Sequence, residues 1–156
     1  TDTVLQKVES DFPGTEEAAL SVVAKLRHVS LAGAQLMAAR GLLWFTAWKD
    51  SPAWIVTDST RLNAQARRMD GQQWACGKAQ TLPGSLAAWP VGLPEAKPFR
   101  VVLLVEGGGD ILAAFHFIHA QGREGYEQPP QESDGRHAEE ANRVGEGRVA
   151  AAVAHR

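Results

Sequence analysis

The stretch VVLLVEGGGDILAAFHFIHAQ, residues 101–121, decides how the chain folds. A continuous apolar run ends in one acid, Glu106. Gly107, Gly108 and Gly109 follow, then Asp110, then about three turns of apolar sequence. An unbroken apolar run fits a central strand buried on both faces, because a half-exposed strand would alternate. From Asp110 the spacing changes. At ~100° per residue, Ile111, Leu112, Ala114, Phe115, Phe117 and Ile118 cover well over half of a helix circumference. Such a helix needs cover on more than one side. Strand, glycine loop and helix together predict an α/β unit.

The loop is not a nucleotide cradle of a known kind. Leu112 stands where the third glycine of a dinucleotide fingerprint would fall, and no Gly-Lys-Ser/Thr follows. It keeps the physics of such loops: glycine allows close backbone approach, and a helix N-terminus is electropositive. Yet Glu106 and Asp110 bring negative charge there. Two carboxylates suit a hard divalent cation, which can bridge them to a phosphate. For Asp110 alone, capping the helix is the simpler role. Glu106, at the end of the apolar strand, is the stronger candidate for chemistry. His116 and His119 lie three apart with no third ligand evident, so a packed or edge histidine is expected instead of a metal ligand.

Upstream, Pro13-Gly14 closes a polar lead-in. Thr15 is placed to cap a helix with Glu16 and Glu17 in its first turn, and Leu20, Val23, Ala24 and Arg27 follow helical spacing. A second helix is predicted from Ser30 to a stop at Gly41. LLWFTAW and AWIVTD, residues 42–48 and 53–58, read as a hairpin across the KDSP turn. LNAQARRM reads as a third strand, and Asp70-Gly71 as a tight turn returning through QQWAC. The Pro- and Gly-rich segment from Lys78 to Pro98 reads as an ordered loop wrapping the sheet. From Gly122 the sequence is charged and poor in large apolar residues, as in a flexible tail. The final VAAAVAHR can form a weak strand or helix.

The 156 residues carry a net charge of −2, unevenly spread. Residues 61–100 hold six basic and two acidic side chains, a local +4, while residues 1–60 sum to −2 and 101–156 to −4. A basic centre in a mildly acidic chain points either to a local anion site or to a solvated, loop-rich surface. No apolar run approaches the ~18 residues of a membrane span, so no membrane partner is expected. The first residues, TDTVLQKVESDF, lack a signal-peptide pattern. The lone cysteine, Cys76, excludes an internal disulfide and a cysteine-rich zinc site, so the cytoplasm is the expected compartment.

The order of these features resembles a known family. VVLLVEGGGDILAA is similar to the first motif of the TOPRIM domain: an apolar strand, Glu-Gly-x-x-Asp and an apolar helix. Ahead of it, AQARRMDGQQWACGKAQTLPGS is similar to the basic lobe of bacterial-type DNA primases. That lobe carries arginine on a strand, a turn, a lysine and a small-residue loop. Residues 30–121 resemble the primase-like proteins of plasmids, phages and integrating elements.

The resemblance, with the residue reading on either side of it, gives three expected segments. These are a helical lead-in at 1–29, a basic α+β lobe at 30–98, and a partial TOPRIM α/β lobe at 99–156 with a flexible tail from about 122. It implies RNA primer synthesis on single-stranded DNA from nucleoside triphosphates, with Mg²⁺ (or Mn²⁺) and with a replicative helicase as a partner. Glu106 would be the catalytic acid and a metal ligand. Asp110 would support the metal. Arg67, Arg68 and Lys78 would contact template phosphates or the nucleotide. On a strand one of the two arginines must face the wrong side. The family's zinc-ribbon module and its second acidic motif, Asp-x-Asp, are not found in these residues. A fragment, or a truncated and inactive protein, is therefore expected. A single-stranded DNA-binding module without catalysis and a TOPRIM-type nuclease are the competing expectations.

Overall fold

The computed structural model describes residues 16–99, 101–126 and 149–153. It combines helices with an antiparallel sheet, so the expected mixed class is observed. The expected turn at Pro13-Gly14, the cap at Thr15 and the tail between residues 127 and 148 lie outside the described residues.

Helix α1, Glu16–Arg27, buries Ala19, Leu20, Val23 and Ala24 along one side. Its acids stand in the first turn and Lys25 and Arg27 in the last, matching the helix dipole. Helix α2, Leu31–Ala39, starts where Ser30 Oγ accepts a hydrogen bond from the Gly33 N–H at 3.1 Å. Such a cap contributes about 1 kcal/mol. Gly41, at φ 73°, ends the turn after α2 as expected.

Strands β1 (Leu43–Trp48), β2 (Ser51–Val56), β3 (Gln65–Arg68) and β4 (Ala79–Thr81) form one sheet in that order. Each neighbouring pair is antiparallel. Lys49 and Asp50, at φ 48° and 55°, join β1 to β2. Left-handed backbone at both loop residues matches the twist of a two-residue hairpin. The expected return through QQWAC does not occur. Asp70 Oδ1 accepts from the Gln72 N–H at 3.0 Å, which turns the chain without pairing it. Trp74 is then buried, and it exchanges backbone bonds with Gly77 in a small turn of its own. The returning strand is β4.

The segment after β4 wraps the sheet as the sequence predicts. The Leu82 N–H donates to Ala64 O at 2.9 Å, and the Leu86 N–H to Leu62 O at 2.7 Å. The buried Asp58 carboxylate accepts from Trp89 Nε1 at 2.9 Å and from the Gly92 N–H at 3.0 Å. This segment ends in a short helix, α3, Leu93–Ala96.

Strict alternation divides the sheet. Trp54, Val56 and Met69 join α1, α2 and α4 in the main core, while Ala53, Ile55 and Ala66 pack with Trp74 and Leu82 on the other side. The main core draws on residues from all three expected segments.

Strand β5, Val101–Val105, pairs in parallel with β6, Val149–Val153, from Val101↔Val149 to Val105↔Val153. Helix α4, Gly108–Tyr126, follows β5 in the chain, so a βα unit stands ahead of β6. VAAAVAHR is thus largely a strand. Two expectations need correcting. Val102, Leu103 and Leu104 are exposed, so β5 is not buried on both faces. It belongs to a separate two-stranded sheet, without a flanking strand on its other edge among the described residues. Helix α4 packs against α2 and against the β5–β6 pair, so it is covered from more than one element, but its apolar arc is not buried throughout. Ile111, Leu112, Ala114 and Phe115 are buried, while Phe117 is 63% exposed. Helix α4 continues through Tyr126, past the expected end at Gln121.

The contact that fixes α4 is with α2. A Cβ on Gly33 would stand 2.7 Å from His116 Cα and 2.9 Å from His116 N, so only glycine admits this approach. His116 Nδ1 accepts the Ser30 N–H at 3.0 Å, which assigns the ring proton to Nε2. This is the packed histidine that the sequence suggests.

Candidate functional site

Glu106 and Gly107 connect β5 to α4, Gly108 and Gly109 open the helix, and each glycine of this loop meets a different neighbour. Gly108 packs on β2: a Cβ there would be 2.8 Å from Val56 Cγ2. Gly109 lies under the Arg27 guanidinium, whose Cζ would be 3.1 Å from such a Cβ. Gly107 is flanked by Asp110 Oδ2 and Arg67 Nη2, at 3.6 and 3.7 Å from its Cβ position. The close approach that these glycines permit is used by the protein's own side chains.

Arg67 reaches the loop because of strand parity. In β3 it pairs with Trp54, on the side of the sheet covered by the helices. Its guanidinium carbon lies 5.9 Å from the Trp54 ring centre. Burial lowers its pKa, the neighbouring Arg27 lowers it further, and Asp110 works in the opposite direction. Its Nε is buried without a hydrogen-bond partner. Two guanidinium groups and one carboxylate therefore converge on the N-terminus of α4, where the free N–H groups favour anions. Glu106, exposed at the end of β5, supplies a second carboxylate beside the loop.

Arg68 faces the other way. Its Nε donates to Asp70 Oδ1 at 2.9 Å, and its Nη2 pairs with Asp70 Oδ2. The hydrogen bonds from Arg68 hold the Asp70 carboxyl down to about pKa 2 and raise the pKa of Arg68. Lys78 is exposed just before β4. Ser85 Oγ accepts the Ala64 N–H at 3.2 Å and pins the small-residue loop. Of the basic residues singled out by sequence, only Arg67 is placed at the glycine loop.

Sequence reasoning missed Arg27 as a site residue. It reads as one more position on the α1 periodicity. The available signal was an arginine on a stripe otherwise apolar.

The donor set can be judged for a metal. Among the described residues, no group of three or more His, Cys, Asp or Glu side chains gathers. Mg²⁺ usually keeps several waters and takes one or two carboxylates plus substrate phosphates. Glu106 and Asp110 match that lighter demand in number and type of donor. They do not fill a two-ion centre. His119 is half-buried on α4 and belongs to no such group.

Comparisons with known protein families, with curated proteins and with solved structures each return no match.

Proposed function

We propose that the chain carries a primase-like nucleotidyl-transfer site of a mobile element, acting on a single-stranded DNA template with nucleoside triphosphates. One observation carries this reading. Arg67 of the basic lobe lies beside Gly107 and feels the charge of Asp110, so two motifs distant in sequence, each supporting the resemblance, meet at one loop.

The chemistry follows from charge. Arg67 and Arg27 offer donors to phosphate oxygens, and guanidinium is suited to bidentate phosphate contacts. The N-terminus of α4 adds N–H donors to the same anion. Glu106 is exposed and free to hold a proton or a substrate hydroxyl, the role of a positioned base. Asp110 steadies Arg67. If Mg²⁺ or Mn²⁺ enters with the nucleotide, Glu106 and Asp110 would hold it, and it would neutralise phosphate charge. Phosphoryl transfer depends chiefly on positioning and electrostatic stabilisation.

No helix among the described residues is long and apolar enough to cross a membrane. The reading places the protein in the cytoplasm, with a replicative helicase as a candidate partner.

The test is incubation with single-stranded template, labelled nucleotides and Mg²⁺ or Mn²⁺, beside Glu106→Gln. Primer synthesis lost in the variant is the expected result. Template shortening instead would favour a nuclease. A second reading, template binding without synthesis, draws support from Asp110. A carboxylate already facing a guanidinium has less charge to offer a metal. It predicts salt-sensitive binding with no product.

A further inference from the structure

A second feature lies at the end of the four-stranded sheet, on the strand pair that meets Gly108. Val56, which packs on Gly108, pairs across the hairpin with Leu43, and the next residue is Trp44. Trp44 is 41% exposed. Its indole is held in place: Nε1 donates to Gly41 O at 2.8 Å. The Arg61 guanidinium lies over the ring, 4.8 Å from its centre.

Arg61 is as firmly placed. It takes left-handed backbone at φ 54°, rare for a residue with a side chain. The turn holding it is tied down. The Arg61 N–H donates to Asp58 O at 3.0 Å, and the Thr60 N–H to Asp58 Oδ1 at 3.0 Å. The Leu62 N–H donates to Thr60 Oγ1 at 3.2 Å. Neither the core nor the glycine loop uses this arrangement. A pinned indole with a guanidinium over one face offers its remaining exposed surface for stacking and an anion contact together.

We propose that Trp44 and Arg61 bind single-stranded nucleic acid, with one base stacked on the indole and its phosphate on the guanidinium. This rests on the primase-like reading and adds a template contact to it. Charge, stacking chemistry and position favour this occupant. Arg61 opens the basic stretch 61–100, whose net charge is +4. Stacking tolerates any base, because every base has a π face. The platform also stands next to Val56 on the opposite face of the sheet from Gly108, so a strand rounding the sheet end would meet both.

The experiment measures fluorescence anisotropy of a labelled oligothymidylate with wild type, Trp44→Ala, Trp44→Phe, Arg61→Ala and Arg67→Ala. Trp44→Ala is expected to weaken binding about 5- to 150-fold, the range for loss of one base–aromatic stack. Trp44→Phe should keep most of the affinity. Arg61→Ala should reduce the salt slope by about one contact. An abasic strand of equal charge should lose the Trp44 dependence.

Unchanged affinity in Trp44→Ala, with loss in Arg67→Ala, overturns this inference and leaves the primase-like reading standing. Equal losses in Trp44→Ala and Trp44→Phe, with matching falls in melting temperature, assign Trp44 a structural role and also overturn it. No binding by wild type overturns both. If a protein partner uses the surface, the oligonucleotide will not respond to Trp44→Ala.

Discussion

The contact between Gly108 and Val56 makes a quantitative prediction. In Gly108→Ala the new Cβ falls 2.8 Å from Val56 Cγ2 and 3.3 Å from Val56 Cβ. Val56 is β-branched, 3% exposed and fixed in β2, so it has little freedom to yield. Overpacking of this kind costs about 1–3 kcal/mol. Alanine in place of glycine returns up to about 1 kcal/mol of helix propensity, less in a first turn. A net loss of about 1–2 kcal/mol is expected. Val56→Ala alone removes two buried methyl groups and should cost about 2–3 kcal/mol. In the double variant the alanine methyl enters the space that valine leaves. Its total should therefore stay near that of Val56→Ala, below the sum of the singles by about 1–2 kcal/mol. Urea denaturation at constant m-value measures all four stabilities. Additivity within about 0.5 kcal/mol, or a stabilised Gly108→Ala, would refute the packing argument.

Other variants test the remaining contacts. Arg67→Ala should weaken binding of a nucleoside triphosphate or labelled single strand about 10-fold or more, the scale of a charged hydrogen bond. Arg67→Lys should recover it only in part, and Arg68→Ala should leave it near wild type; titration calorimetry reads all three. Asp70 should titrate near pH 2 by carboxyl NMR and move toward the ordinary value near 3.8 in Arg68→Ala. Because the folded pKa is depressed, the contribution of this pair to stability is present above about pH 4. It is lost as pH falls toward 2. Ser30→Ala should cost about 1 kcal/mol through loss of the α2 cap, measured as a lowered urea midpoint.

Elements fixed by local chemistry were legible in the sequence. Helix α2 followed from a serine cap and a glycine stop, the β1–β2 hairpin from two apolar runs around a short turn, and α4 from its periodicity. The errors arose where tertiary contacts decide. Asp70-Gly71 carries a strong hairpin signal, but burial of Trp74 draws the next residues out of the ladder. The β5 run reads as a central strand because composition does not reveal how many strands flank it. At the site, Glu106, Asp110 and Arg67 could be chosen from residue type and spacing. Arg27 could not, because its role depends on where α1 lies against a loop some eighty residues later. Nor could sequence decide between Arg67 and Arg68, since alternation fixes their opposition but not their faces.

That alternation makes the glycine loop dependent on the alignment of β3. Ala66 opposite Ile55 and Gln80 sets which arginine points inward. A slip of one residue would carry Arg68 toward Asp110 and turn Arg67 outward. It would also bring Ala66 to the helix side, in a place matched to longer side chains. The same apolar packing that stabilises the sheet therefore selects which positive charge reaches the loop, and any change that loosens the alignment exchanges the two.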